Sequence, residues 1–235
     1  MGIFDRKKDT PTAPVATEDL GLLGSQATKF VERVLEIGID GKGTFDSAQK
    51  VADDARRRRS DPERVVDDIV GAHLRLAAGN GFVTGLGGFV TMPVALPANV
   101  VGFYVVATRM AAAIAAVRGY DIQQPAVRSA ILLSLIGADS DDLLKKVGYQ
   151  STGKLANLAA DRLPGAVVMA INKGVGFRII TRMGRTTLTK LGRLVPVAGG
   201  AIGAGLDSYL LKKIADGVRE QFPFKATLTS LPSEN

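Results

Sequence analysis

The sequence has no cysteine, no tryptophan and a single histidine. Without cysteine, disulfides, thiolate metal sites and cysteine nucleophiles are all excluded. Aromatic residues make up only 6% of the chain, and it contains no RRM signature, zinc-finger spacing or leucine zipper. Nucleic-acid binding usually depends on aromatic platforms or a recognisable reading motif, so the sequence argues against a nucleic-acid partner.

The N-terminal residues carry charge, but no apolar segment follows them, which argues against a signal peptide. Position 6 is Arg, whereas the myristoylation pattern needs Ser or Thr there. We therefore expect a cytoplasmic protein. Polar composition predicts a disordered tail over residues 1–18 and a flexible tail over 225–235. The remaining residues, 19–224, are predicted to form a single helical domain.

Glycine and positive charge are both abundant. The chain has 27 glycines in 235 residues and a formal net charge of +7, and average glycine usage is only about 7%. A basic protein is attracted to nucleic acid or to anionic lipid. In the absence of a nucleic-acid motif, the charge favours a membrane surface. The predicted basic membrane patches comprise Arg56, Arg57, Arg58, Arg59, Arg178, Arg182, Arg185, Lys190 and Arg193.

Apolar residues recur at helical spacing, and no segment shows the strict alternation of a strand. The sequence therefore predicts an all-α fold, a compact multi-helix bundle with glycine-rich, closely packed apolar helices. Ser140 and Ser151 are predicted helix caps, and Gly174 and Gly176 are predicted to interrupt a helix. The predicted helices span residues 18–37, 47–58, 98–117, 125–137, 140–147, 151–161, 164–182, 186–193 and 196–222, with another starting at Ser60-Asp61-Pro62-Glu63.

Residues 76–108 contain no charged side chain. This stretch exceeds the roughly 20 residues that a membrane-spanning helix needs, but its six glycines and two prolines make it a poor continuous helix. Elsewhere, Gly199 and Gly203 lie four residues apart, a series that Gly205 extends, and Gly81 and Gly85 are spaced in the same way. Small residues at this spacing form flat faces that let helices approach closely. The sequence favours a buried core over a transmembrane span.

Eight polar residues lie within or beside the apolar helices. If the helices pack closely, some of these side chains are buried and need partners; a pair between Arg109 and Asp207 is predicted on this ground. Two interpretations stay open, a structural network or the polar end of an apolar ligand pocket, such as one for a lipid headgroup. The candidate ligand-binding residues are His73, Asn80, Thr84, Asn99, Arg109, Asn172, Lys173 and Asp207.

Motifs for catalysis are weak or absent. No G-x-S-x-G elbow occurs, and S-x-x-K occurs twice without its companion motifs. The glycines around Lys42 lack the spacing of a P-loop. The acids at 139, 141 and 142 are explained by their place at a helix N-terminus. The sequence predicts no catalytic residue, no metal and no cofactor.

Several short motifs, in order along residues 20–222, resemble the EcsC family. They are Thr84-Gly85-Leu86-Gly87-Gly88, Thr91-Met92-Pro93, Arg109-Met110-Ala111-Ala112-Ala113-Ile114-Ala115, Arg118-Gly119-Tyr120-Asp121, Asn172-Lys173-Gly174-Val175-Gly176 and Val195-Pro196-Val197-Ala198-Gly199-Gly200-Ala201-Ile202-Gly203. The resemblance implies a bacterial, helical protein without an agreed enzymatic activity. The family's name reflects genetic association with an ABC transporter, which points to the cell envelope.

These observations lead to one functional hypothesis and two alternatives. We expect a non-enzymatic protein, peripheral to the inner membrane, that associates with membrane lipid or a membrane-protein partner through apolar helices and basic patches. The first alternative is an enzyme acting on an apolar, lipid-like substrate, with His73 or Arg109 in its site. The second is a soluble scaffold that self-assembles into a homo-oligomer through its glycine faces.

Overall fold

The computed structural model describes residues 17–78, 98–149, 153–190 and 199–225, and every regular element in these ranges is helical. The all-α prediction is confirmed. A five-residue π-helix, Glu36–Asp40, directly continues the first helix. The α-helices are α1 (Thr17–Leu35), α2 (Ala48–Arg58), α3 (Pro62–Ala78), α4 (Ala98–Val117), α5 (Pro125–Ile136), α6 (Asp139–Lys146), α7 (Leu155–Ala160), α8 (Gly165–Lys190) and α9 (Gly199–Gln221).

Helix α4 forms the centre of the fold. It packs against α1, the π-helix, α2, α3, α5 and α9. Its residues are apolar on nearly every side, and Met110 and Ile114 have no exposed surface. A helix that is hydrophobic all round must be buried, so the low amphipathicity of α4 explains its central position.

The predicted boundaries of several helices are confirmed by their caps. The Ser47 hydroxyl accepts a hydrogen bond from the Lys50 N–H at the start of α2, at 3.2 Å. Pro125 opens α5, and Gly137, with φ of 57°, ends it. These local signals need little tertiary support because each satisfies or removes an unpaired backbone group.

The sequence predicts that Gly38 and the Asp40-Gly41-Lys42-Gly43 run end the first helix; the run does end it, whereas Gly38 does not. The backbone continues through the π-helix to Asp40, and the chain turns at Gly41, where φ is 81°. A Cβ atom at Gly38 would lie 3.0 Å from the Val105 carbonyl oxygen of α4. Gly38 therefore serves close helix packing and does not terminate the helix.

Helix α8 is continuous, so the predicted interruption at Gly174 and Gly176 is wrong. The predicted separate helix from residue 186 is likewise part of α8 as far as Lys190. A Cβ at Gly176 would lie 2.4 Å from the Ala27 carbonyl oxygen. This glycine is used to bring α8 against α1, which explains its presence inside a helix despite its low helix propensity.

The predicted serine cap at Ser140 is not formed. Helix α6 begins at Asp139, so Ser140 lies inside it, and Ser151 lies outside the described ranges. Helix α7 begins at Leu155, whose N–H donates to the Gln221 side-chain oxygen at 2.9 Å. The cap comes from α9, a distant part of the sequence, and local patterns could not reveal it.

The predicted glycine faces have no support in the described residues. Gly81 and Gly85 lie outside them, and the surroundings of Gly199 and Gly203 in α9 are not described. Gly205 is exposed, and a Cβ there would meet no described atom within 4 Å.

The Arg118-Gly119-Tyr120-Asp121 motif connects the end of α4 to the C-terminal segment. Arg118 is 6% exposed, pairs with Glu63 of α3 at 2.8 Å and donates to the Phe222 carbonyl oxygen at 2.8 Å. The Tyr120 hydroxyl donates to the Pro223 carbonyl at 2.9 Å, and the Lys225 N–H donates to the Arg118 carbonyl. This motif therefore has a structural role, and Lys225, predicted to begin the flexible tail, is bound in place.

Candidate functional site

Three regions of the structure have functional potential: a buried polar cluster between α3 and α4, a cavity beside α9, and the outer surface of α8. The cluster contains His73, the only histidine. His73 is 4% exposed, and its Nδ1 lies 2.8 Å from the Ile69 carbonyl oxygen. Because a carbonyl only accepts, Nδ1 carries the proton and Nε2 is left as an acceptor. That Nε2 atom is buried without a hydrogen-bond partner.

The environment of His73 keeps its ring neutral. Burial lowers its pKa, the hydrogen bond to Ile69 partly opposes this, and the positive charge of Arg109 adds to the lowering, so that the pKa is about 4. An effective general acid or base has a pKa near the working pH. A histidine in this state therefore fits a core position better than an acid–base role at neutral pH.

Arg109 is the only charged residue of α4. Its guanidinium carbon lies 5.6 Å from the centre of the Phe45 ring, and its Nε is buried without a hydrogen-bond partner. Burial lowers the pKa of Arg109, whereas the negative charge of Asp46 raises it. The predicted Arg109–Asp207 pair is not formed. Burial alone raises the pKa of Asp207, and the carboxylate that acts on Arg109 belongs to Asp46, before α2.

Of the other candidate ligand-binding residues, none joins this cluster in the described structure. Asn172 of α8 accepts a hydrogen bond from the Ser129 hydroxyl at 3.0 Å. Lys173 is exposed on α8, with its Cε packed against Gly24 of α1. The structure brings together only His73 and Arg109 from the predicted set. Asn80 and Thr84 lie outside the described residues, and Asn99 lies in α4 with no description of its side chain.

The arginines at positions 56–59, at the end of α2, are all exposed. Their charge is largely neutralised by neighbouring acids. Arg57 pairs with Asp54, and Arg59 pairs with Asp68 of α3. Exposed pairs of this kind contribute little stability, but they reduce the positive potential that this patch presents to a membrane.

The second predicted basic patch lies on α8. Arg178 is half-buried, and its guanidinium donates to the Asp139 carbonyl oxygen at 2.6 Å. Arg182, Arg185 and Lys190 also belong to α8, although their side chains are not described, and Arg193 lies outside the described residues. Four of the five residues of the predicted patch therefore belong to one helix, and Arg178 is also bound to α6.

A cavity of about 580 Å³ lies between α4, the α5–α6 turn, α7 and α9. This volume is within the range of about 300–1,000 Å³ typical of small-molecule sites. Its inner wall includes the buried side chains of Phe103, Ile136 and Leu155, and its rim includes the exposed charges Asp141 and Lys213.

None of the predicted ligand-binding residues whose side chains the structure describes lines this cavity. Sequence reasoning missed it because its walls come from four separate segments. The sequence of α9 contains one signal of the cavity, a second apolar stripe. Leu211, Ala215 and Val218 form the buried stripe, whereas Leu210 and Ile214 form a second apolar stripe that faces the cavity.

In the described part of the chain, no group of three or more histidine or acidic residues is placed to hold a metal ion. Within the same residues, no helix is both long and apolar enough to cross a membrane.

The fold and these sites define an all-helical protein organised around one buried central helix, with a lateral cavity and a basic outer helix. A family model for the EcsC protein family matches residues 24–222, so the chain belongs to that family. No curated protein and no solved structure matches the chain.

Proposed function

We propose that this protein is non-enzymatic and associates peripherally with anionic membrane lipid through the outer surface of α8. The observation that carries the proposal is the composition of this helix. Its 26 residues include five basic side chains and no acidic one. Among them are large hydrophobic residues that remain exposed in the folded protein, Met169 and Phe177.

The exposed residues of α8 lie on one side of the helix. Met169, Lys173 and Phe177 are four residues apart, and residues at this spacing share a helix face. Met169 is 69% exposed and Phe177 is 37% exposed. The buried side of the helix packs against α1 and α5, and the stem of Lys173 reaches over to Gly24 of α1. Helix α8 therefore presents apolar side chains with a basic residue between them.

This arrangement matches the physics of an interfacial helix. Such helices bury apolar side chains at the headgroup boundary while Lys and Arg attract anionic lipid. Each basic residue near an anionic surface contributes about 1 kcal/mol. Helix α8 carries five basic residues and no acid, and Lys173 is exposed between Met169 and Phe177, so we expect α8 to favour an anionic bilayer over a zwitterionic one.

The state of His73 supports the non-enzymatic part of the proposal. Its pKa of about 4, its hydrogen bond to Ile69 and its burial leave it neutral and shielded. We expect His73→Gln to leave lipid association unchanged. A turnover of lipid-like substrates that His73→Gln abolishes would instead favour the enzyme alternative.

Flotation with lipid vesicles tests the association. We expect the purified full chain to float with phosphatidylglycerol-containing vesicles and much less with pure phosphatidylcholine vesicles, with binding weakened by salt. The double variant Met169→Ser/Phe177→Ser should lose at least about tenfold in affinity, because about 1.4 kcal/mol of lost apolar burial has this effect.

The matched control is Tyr209→Ser. Tyr209 is also an exposed large side chain, at 64%, but it lies on α9, so we expect its variant to bind like the wild type. Equal binding to both vesicle types, or full binding by the α8 double variant, would overturn the proposal. A concentration-dependent increase in mass without any vesicle binding would favour the scaffold alternative.

A further inference from the structure

The cavity beside α9 has the features of a binding site that is separate from the α8 surface. No α8 residue with a described side chain lines it. Its inner wall is built from side chains that are almost completely buried, including Phe103, Leu135 and Leu155. Phe103 and Tyr104 meet edge to face, with ring centres 5.3 Å apart, which fixes the aromatic part of the wall.

The polar groups of the cavity are concentrated at its rim or are already occupied inside it. The Ser134 hydroxyl donates to the Ile131 carbonyl oxygen at 2.6 Å. The Gln221 side-chain oxygen accepts from the Leu155 N–H. With these two groups satisfied, the interior is suited to an aliphatic chain.

The rim carries one charge of each sign. Lys213 of α9 and Asp141 of α6 are both exposed and both line the cavity. Neither forms an ion pair with the other or with any described residue, in contrast to Lys212, which pairs with Asp216 at 3.0 Å. Two unpaired charges of opposite sign at one mouth match a ligand head that carries both signs. Leu210, 38% exposed, adds an apolar side chain to the same rim.

We propose that this cavity binds a single-chain amphiphile with a zwitterionic head, its aliphatic chain lying between α4, α7 and α9. The phosphate of a phosphoethanolamine head would pair with Lys213, and its ammonium would pair with Asp141. Charge-assisted hydrogen bonds of this type are stronger than neutral ones. The chain would contact Phe103, Leu135 and Leu155.

Isothermal titration calorimetry with three amphiphiles tests whether the cavity prefers a zwitterionic head group. All three carry a dodecyl chain and are kept below their micelle concentrations: dodecylphosphoethanolamine, dodecanoate and dodecylammonium. We expect the phosphoethanolamine compound to bind most tightly. Shortening its chain from dodecyl to decyl to octyl should weaken binding by about fourfold per methylene removed. Tighter binding of either singly charged amphiphile, or no dependence on chain length, would overturn the proposal.

Two glycines of α9 provide a matched pair of variants for the part of the cavity that would hold the aliphatic chain. Gly217 lines the cavity, and a Cβ there meets no described atom within 4 Å. Gly217→Leu therefore fills the cavity with a residue of higher helix propensity. We expect it to abolish binding of dodecylphosphoethanolamine, whereas Gly205→Leu, which does not line the cavity, should bind normally. Thermal unfolding followed by circular dichroism confirms that both variants fold.

The two adjacent lysines provide the matched pair for the head. Lys213→Gln should weaken binding of the phosphoethanolamine amphiphile about tenfold. Lys212→Gln should bind the same amphiphile as tightly as the wild type. Unchanged binding in both Gly217→Leu and Lys213→Gln would overturn the site. These titrations contain no vesicles, so their failure does not bear on the association of α8 with a membrane, and the failure of vesicle flotation does not bear on this cavity.

Discussion

Helices α4 and α8 are both long and rich in small residues, but they occupy opposite environments. Helix α4 is surrounded by six other elements, whereas the main neighbours of α8 in the described part of the chain are α1, α5 and α6. The difference follows from charge. Arg109 is the only charged residue in the 20 residues of α4, whereas α8 carries five basic residues. Small residues permit close packing on any helix, and the distribution of charge decides which helix becomes the core.

The largest expected contrast between the two helices concerns their methionines. Met110 of α4 has no exposed surface, whereas Met169 of α8 is 69% exposed. We expect Met110→Ala to lower the free energy of unfolding by about 2–5 kcal/mol, because it leaves a cavity in the core. Met169→Ala should change it by less than about 0.5 kcal/mol. Urea unfolding measures both, and equal losses would contradict the assignment of α4 as core and α8 as edge.

The second prediction concerns the pH dependence caused by His73, which faces α4. Its pKa is about 4 in the folded protein and 6.5 in an ordinary environment. The unfolded state therefore binds the proton first as the pH falls, and stability present above pH 6.5 is lost progressively towards pH 4. The loss between pH 7.5 and pH 4.5 should be about 2–3 kcal/mol.

Comparison with His73→Gln isolates this contribution, since the chain has no other histidine. Carboxylates titrate in the lower part of this window in both proteins, so the difference between their stability–pH curves belongs to His73. Urea unfolding across the pH range provides the curves. Parallel curves for the two proteins would show that the ring is not buried in its neutral form.

The third prediction separates two neighbouring glycines on the packed side of α8. A Cβ at either Gly174 or Gly176 would lie 2.4 Å from its nearest described atom. At Gly176 that atom is the Ala27 backbone oxygen, which can move only with α1. At Gly174 it is the end of the Leu143 side chain, which can change its rotamer. We expect Gly176→Ala to cost about 1–3 kcal/mol and Gly174→Ala to cost clearly less. The reverse order in thermal unfolding would contradict the α1–α8 packing.

The sequence predicted the helices well where local chemistry determines them. Pro125, Gly137 and Ser47 each mark a boundary through the backbone groups that they cap or lack. It failed where tertiary packing overrides local preference. Gly38 and Gly176 look like helix breakers, but in the structure each allows another helix to come close.

The candidate sites were less predictable for the same reason. His73 lies on the buried side of α3, a position that the pattern of one amphipathic helix contains. The predicted Arg109–Asp207 pair is wrong because no local pattern determines how α4 and α9 are placed relative to each other. The carboxylate whose charge acts on Arg109 is that of Asp46. The cavity could not be predicted, since Phe103, Leu155 and Lys213 come together only in the folded protein.

The smallest expected effect concerns Gly205 of α9. A substitution there distinguishes a glycine that permits close helix packing from one that has no packing role. Gly205 is exposed, and a Cβ there meets no described atom within 4 Å. We expect Gly205→Ala to raise the free energy of unfolding by about 0.5–1 kcal/mol, because alanine loses less backbone entropy in a helix. A loss of stability would instead place Gly205 in a close helix contact, as its spacing with Gly199 and Gly203 first suggested. The sign of this one change, measured by thermal unfolding, therefore decides whether α9 uses its small residues in the way that α8 uses Gly176.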